Sequence, residues 1–179
     1  QFLADFDKTV TFFGSARFKE GTKWYEEARK LGALLAKENL AVVTGGGPGI
    51  MEAGNRGAVE GKNGDSIGLN IQLPYEQRVN KYVKRGRGFY YFFTRKVMLS
   101  FAAQAYVFFP GGYGTLDEFF EVFDLMENDQ IAKAPMIAVG TEFWGPVMKF
   151  LRERAIRHGI LDQEMLKTIY TYAHPTPNK

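Results

Sequence analysis

The sequence predicts an α/β fold, a Rossmann-like, doubly wound, mostly parallel sheet flanked by helices on both faces. Two observations carry this. Short apolar runs alternate with helical patterns across short connections, which is how parallel strands and their crossover helices read in sequence. Polar or glycine-rich turns at Gly14, Gly45 and Gly111 each follow directly on an apolar run. In such a sheet they would gather at the carboxyl ends of the strands, where ligands bind. The 179 residues suit one domain spanning 1–179.

Taken in order, residues 10–13 form a first buried strand ending in Gly14-Ser15-Ala16-Arg17, a polar turn with a hydroxyl and a guanidinium at its mouth. A helix follows from Thr22 to about Glu38, with Trp24, Ala28, Leu31, Leu34 and Leu35 near helical spacing. Residues 40–43 make a second strand leading into Thr44-Gly45-Gly46-Gly47-Pro48-Gly49, a glycine cluster with a proline near a helix start. Residues 66–69 make a third. Arg78, Lys81, Lys84, Arg85, Arg87, Arg95 and Lys96 then interleave with Tyr82, Phe89, Tyr90, Tyr91, Phe92 and Phe93. This pattern suits single-strand nucleic acid, an amphipathic edge strand or a nucleotide pocket. A helix over 94–104 carries Arg95 and Lys96 in its first turn, against the helix dipole. An anionic ligand, a partner carboxylate or simple exposure to water would account for them. Beyond the stretch at 110–121, residues 135–139 form another strand and 143–158 an amphipathic helix stopped by Gly159, with one more turn at 163–167.

Residues 110–121, Pro-Gly-Gly-Tyr-Gly-Thr-Leu-Asp-Glu-Phe-Phe-Glu, follow the apolar run 105–109. A strand turning sharply through Gly111, Gly112 and Gly114 into a helix leaves the first N–H groups bare, a place to hold an anion. Leu116, Phe119, Phe120, Phe123 and Met126 mark one face, and Glu118 starts near the anion site off the core face. Two readings of Glu118 stand. It is the reciprocal partner of Thr115 in a capping box, or it is a carboxylate presented to a ligand.

Composition excludes several classes. Cysteine is absent, which removes thiol nucleophiles, disulfides and thiolate metal sites. Lys plus Arg number 23 against 20 Asp plus Glu, short of a nucleic-acid footprint. The apolar runs are too short to span a bilayer, so neither nucleic acid nor membrane is an expected partner and a cytoplasmic location is expected. The glycine cluster at 45–49 lacks the Lys-Ser/Thr of a Walker loop and has Ile50 in place of the dinucleotide fingerprint's third glycine. Asp65 stands before its strand, at the wrong end to be that fingerprint's ribose acid. A mononucleotide phosphate fits better. His158 and His174 sit in a last helical turn and a proline-rich tail and are poor catalytic candidates.

Thr-Gly-Gly-Gly-Pro-Gly-Ile-Met-Glu-Ala at 44–53, Thr-Arg-Lys at 94–96 and Pro-Gly-Gly-Tyr-Gly-Thr-Leu-Asp-Glu at 110–118 resemble the motifs of the LOG (Lonely Guy) family. The likeness runs from Phe-Gly-Ser-Ala-Arg at 13–17 to the helix ending near His158. The resemblance implies a cytokinin riboside 5′-monophosphate phosphoribohydrolase, an N-glycosyl hydrolase that releases the base and ribose 5-phosphate, with AMP or N6-substituted AMP as substrate. It implies Arg95 and Glu118 as the catalytic pair. Phosphate recognition would fall on Gly45, Gly46 and Gly47 and on Gly111, Gly112, Gly114 and Thr115, with Ser15, Arg17 and Lys96 as further substrate-binding candidates. The sequence departs from many members at Phe92-Phe93, where Met-His is common, and at Asp117, where Glu is common.

Relatives are often labelled lysine decarboxylase, yet pyridoxal chemistry needs a Schiff-base lysine and a ring-nitrogen carboxylate. Lys96 stands in a charged turn with no stacking histidine before it. The expected reaction instead needs no metal and no cofactor. Glu118 would stabilise an oxocarbenium-like sugar and activate water, while Arg95, always protonated, would steady Glu118 or the departing base. A nucleotide sensor of the same fold without turnover is the competing class. The aromatic content, 16 Phe, 9 Tyr and 2 Trp, together with the resemblance, implies a homodimer or higher homo-oligomer with residues 89–93 at the interface.

Overall fold

The computed structural model describes residues 8–71, 79–101 and 103–173; Arg78 of the basic cluster and His174 lie outside them. Among these described residues seven strands form one sheet: β1 (Thr9–Phe13), β2 (Ala41–Thr44), β3 (Ser66–Ile71), β4 (Arg85–Phe89), β5 (Ala105–Phe108), β6 (Met136–Val139) and β7 (Ile169–Tyr172). Their order is β4-β3-β2-β1-β5-β6-β7, and every neighbouring pair is parallel. The chain therefore starts at the centre, winds outward to β4, and returns to lay β5 beside β1. That return is the topological switch point, where diverging connections open a crevice at the carboxyl ends.

Because side chains alternate across a pleated strand, each central strand supplies both faces. Val10, Phe12, Val42, Val107 and Phe109 pack beneath α1 (Lys23–Lys37) and α2 (Ile50–Glu60). Phe13, Val43, Tyr106 and Phe108 pack beneath α3 (Phe92–Phe101), α4 (Tyr113–Glu127) and α5 (Thr141–Phe150). Stacked rings of Phe13 and Phe108, with centroids 4.9 Å apart, join β1 to β5 at the switch point. Each such side chain, fully buried, contributes about 1.5–3 kcal/mol relative to exposure. No helix among the described residues is long and apolar enough to cross a membrane.

The basic-aromatic segment contains β4, an exposed edge strand on β3, one of the readings its pattern allowed. The structure corrects the expected elements at three places. The helix expected over 94–104 begins at Phe92, because the Tyr91 carbonyl accepts both the Arg95 N–H at 3.3 Å and the Thr94 hydroxyl at 2.8 Å. Arg95 thus closes the first turn and Lys96 opens the second. The helix expected over 143–158 is α5 followed by a π-helical segment, Leu151–Ile156. The turn at 163–167 is a 3₁₀ helix, Gln163–Thr168, and it feeds β7, a strand not anticipated.

A ring of aromatic contacts fixes α4 and α5 to the end of β5. The Trp144 indole N–H donates to the Phe108 carbonyl at 3.0 Å, and the Phe119 ring lies 4.7 Å from Trp144 and 5.1 Å from Phe108. All three residues are fully buried. Trp144→Phe keeps a ring but leaves the Phe108 carbonyl without that donor. It should lower the unfolding free energy by about 1–3 kcal/mol in chemical denaturation; a midpoint unchanged from the parent would show the bond to be dispensable.

Candidate active site

The site is assembled from the ends of β1, β2 and β5. At the end of β1 the chain turns through Gly14–Arg17, and this turn is held from both sides. Ser15 donates its N–H to the Pro110 carbonyl at 3.1 Å and accepts the Ile50 N–H on its own carbonyl at 3.1 Å. Such contact needs glycine across from it. Gly49 sits at φ +71°, and a Cβ there would lie 2.4 Å from the Ser15 carbonyl oxygen, a clash no side chain tolerates. The Ser15 hydroxyl oxygen accepts the Arg17 N–H at 3.1 Å, closing a small turn that aims both residues into the same cleft.

After β5 the chain enters α4 with Gly112 as N-cap and no side-chain cap. The capping box between Thr115 and Glu118 does not form. The helix starts at Tyr113, Leu116 N–H already bonds back to the Gly112 carbonyl at 3.1 Å, and Glu118 falls in the second turn. Thr115 is buried against Gly111, where a Cβ would meet its hydroxyl at 2.1 Å. The leading N–H groups of a fifteen-residue helix therefore face the cleft without a cap, the arrangement that favours an anion.

Phe13, Ser15, Arg17, Gly45, Met51, Arg95, Leu99, Gly112, Gly114, Thr115 and Glu118 are among the walls of this cleft, whose volume is about 450 Å³. Arg95 and Glu118 meet on its floor, guanidinium Nη2 to carboxylate Oε1 at 3.7 Å, with side chains only 11% and 17% exposed. That separation is an ion pair but too long for a hydrogen bond. The Arg95 guanidinium lies 4.6 Å from the centre of the Phe92 ring, a cation–π cushion. Its buried Nε–H finds no acceptor among the described residues. Burial lowers the Arg95 pKa against the pull of Glu118. Burial raises that of Glu118; Arg95 and Lys96 oppose the rise while Asp117 and Glu121 add to it, and the carboxyl is pushed up to about 7. A carboxyl held between its two forms near neutrality, beside a cation with an unspent donor, can exchange a proton and stabilise positive charge.

Eight of the sequence-derived candidates, Ser15, Arg17, Gly45, Gly112, Gly114, Thr115, Arg95 and Glu118, line the cleft together. Four do not. Lys96 turns to α4, with Nζ 2.8 Å from Asp117 and 3.0 Å from Glu121. Burial works against its charge, but these two carboxylates outweigh it and raise its pKa. No lysine is among the described cleft residues, so nothing there fits a pyridoxal Schiff base. Gly111 lies under Thr115. Gly46 turns away, donating its N–H to the Thr44 hydroxyl at 2.9 Å, and the Gly46 and Gly47 carbonyls are held by Asn80. Sequence reasoning missed the apolar walls Phe13, Met51 and Leu99. It also missed the buried amide Asn55, although a polar residue inside the α2 stripe of Ile50, Ala53, Gly54, Gly57 and Ala58 was a readable signal.

Residues 51–178 match the family described as "Possible lysine decarboxylase", and the chain belongs to this family, the LOG family. A cytokinin riboside 5′-monophosphate phosphoribohydrolase of Rhodococcoides fascians is 25% identical over 83% of this chain and 76% of its own. A probable cytokinin riboside 5′-monophosphate phosphoribohydrolase of Oryza sativa subsp. japonica is 32% identical over 65% of this chain and 48% of its own. Among solved structures, the molybdenum cofactor carrier protein of Chlamydomonas reinhardtii superposes with a TM-score of 0.65 over 93% of this chain and 89% of its own, at 19% identity. At that identity the likeness concerns the fold.

The unfolded chain ionises Glu118 near 4.5 and the folded chain near 7. Between these values the folded state binds the extra proton, so stability falls as pH rises through the window and the cost is complete above 7. At 1.36 kcal/mol per unit this is on the order of 3 kcal/mol. Glu118→Gln should therefore be more stable than the parent at pH 8 and match it at pH 4, read by denaturant titration at both. Equal stability at pH 8 would mean the carboxylate is not desolvated.

Proposed function

We propose that the chain is a nucleoside 5′-monophosphate phosphoribohydrolase acting on cytokinin riboside 5′-monophosphates, AMP or both. The observation that carries this reading is the buried Arg95–Glu118 pair at the floor of a cleft whose rim is an uncapped helix start. The names of the relatives support the same class of substrate. The 5′-phosphate is held by the first N–H groups of α4 at 113–115, with Ser15 and Arg17 across the cleft. This anchors the far end of the substrate and brings the sugar over Glu118.

Cleavage breaks the bond between the ribose C1′ and the base nitrogen, whose electron pair leaves with the base. Ionised Glu118 stabilises the oxocarbenium character at C1′ and takes a proton from water as its oxygen bonds to C1′. Arg95 steadies the carboxylate, and its free Nε–H is available to charge building on the departing base. The proton taken by Glu118 is returned to the departing base, so the products are free base and ribose 5-phosphate with the carboxylate restored, and the step calls on no cofactor.

Incubation with AMP should release adenine, while adenosine, lacking the phosphate the helix start would hold, should be a poor substrate. Glu118→Gln should bind AMP and lose roughly a hundredfold or more in kcat. Because the base form of Glu118 is the active one, kcat/KM should rise with pH to a plateau above about 7 and fall about tenfold per unit below it. Turnover by Glu118→Gln near the parent rate would overturn the mechanism.

The same reading includes a homo-oligomer. Tyr90, Tyr91, Phe92, Phe93 and Phe101 stand exposed along α3 and its approach, Tyr90 by 80%, and so many exposed aromatics on one short segment suit an association surface. Light scattering at micromolar concentration should return a multiple of the chain mass, and a monomer would refute it.

A further inference from the structure

Asn55 is fully buried in α2, and all four of its side-chain hydrogen-bond sites are used. Its oxygen accepts from the Thr44 hydroxyl at 2.7 Å and from Asn80 Nδ2 at 3.0 Å. Its NH₂ donates to the Ser66 hydroxyl at 3.0 Å and the Ile67 carbonyl at 3.1 Å. One amide thus ties the end of β2, the start of β3 and the segment leading to β4. A network so completely paired is expensive to keep buried unless it holds something in register.

What it holds is the glycine loop after β2. Asn80 grips that loop from outside: its backbone N–H donates to the Gly46 carbonyl at 2.8 Å. Its side-chain NH₂ reaches the Gly46 and Gly47 carbonyls at 3.2 and 3.0 Å. Thr44 takes the Gly46 N–H from the other side. Peptide units are planar, so fixing these carbonyls fixes the planes of two successive units, and Pro48 follows with no N–H of its own. The residue this leaves at the cleft is Gly45. A Cβ on Gly45 would lie 2.9 Å from the Met51 sulfur and 3.6 Å from Arg95 Nη1, so the loop backbone is the wall against which the Arg95 guanidinium rests.

We propose that Asn80, acting through Asn55 and Thr44, is a positioning residue that clasps the Gly45–Gly47 loop against Arg95 and so sets the geometry of the cleft. It touches neither the cleft nor the ionisable pair. The inference rests on the reading of the cleft as a nucleotide site, and it gives the glycine loop a role other than donating N–H groups to phosphate. The clasp is a wall, and phosphate recognition stays with α4 and the β1 turn.

The test uses the full chain and two variants of different chemistry. Asn80→Asp keeps the shape but loses the side-chain donors, and Thr44→Val removes the hydroxyl that takes the Gly46 N–H. Hydrogen exchange is followed on peptides covering 44–50 and, as internal reference, on β5. AMP affinity is followed by calorimetry and turnover by adenine release, at a temperature where each variant is folded by its near-ultraviolet spectrum. The expected result in at least one folded variant is exchange at 44–50 accelerated tenfold or more with β5 unchanged, and kcat/KM for AMP lowered tenfold or more. The pH at which activity half-rises should move upward, because an Arg95 no longer held by the loop opposes the effect of burial on Glu118 less. Uniform acceleration of exchange, unchanged exchange at 44–50, or a loosened loop with parent kcat/KM would each overturn the clasp; so would failure of both variants to fold, which would make the network purely structural. A parent chain that neither binds nor cleaves AMP would instead overturn the proposed reaction, while the exchange rates would still report whether Asn80 and Thr44 hold the loop.

Discussion

The indole of Trp144, donating to the carbonyl at the end of β5 and packed on Phe119, is the contact from which the geometry of the cleft follows. A helix turns about 100° per residue, so once Phe119, Val122, Phe123 and Met126 are driven into the core the rotation of α4 is settled. Glu118, one position back, then has no freedom to swing out to water. Its burial is a by-product of aromatic packing on the other side of the same turn. The reactivity of the carboxyl and the stability of the core are therefore linked through one helix, and the folded state carries the cost of a desolvated acid because the neighbouring rings hold it there.

Charge around this acid is partitioned rather than simply neutralised. Asp117, Glu118 and Glu121 crowd the first turns of α4, and two successive cations on α3 face them. Lys96, with a compact and well hydrated head, takes Asp117 and Glu121 at hydrogen-bonding distance. Arg95, planar and less strongly hydrated, is left with Glu118 at a looser 3.7 Å. Had Lys96 been drawn to Glu118 instead, the close contact would have pulled the carboxyl back toward its ordinary range. The division between the two cations keeps one acid unquenched.

Much of this was readable from the residues alone. The alternation of apolar runs and helical stripes, and the polar turns at Gly14, Gly45 and Gly111, led to the parallel sheet and to the residues that the cleft gathers. The motifs around Arg95 and Glu118 led to the family. What escaped was set by partners distant in sequence. The start of α4 depends on Thr115 settling against Gly111, which local capping rules do not foresee. The use of the Gly46 N–H depends on a hydroxyl two residues back and an amide at Asn80, so a glycine cluster that reads as a phosphate cradle is turned partly inward. β7, Ile-Tyr-Thr-Tyr, is short and exposed at three of its four residues, and it becomes a strand only because β6 offers it an edge.

The central place of β1 in an all-parallel sheet also shapes how the chain must acquire its structure. Among the described residues no two strands are joined by a hairpin, so every pairing waits on a crossover, and β1 meets its second neighbour only when β5 has been made. The Thr9 amide closes on the side chain of Gln104 across 95 positions. Non-local pairings of this sort are slow because loop closure precedes any reward. On a growing chain, β1, α1, β2, α2 and β3 must stand for a time with the β5 side of β1 open. A strand buried along its whole length in the finished fold is then an open edge, and early contact with a chaperone or with another nascent chain would be made there.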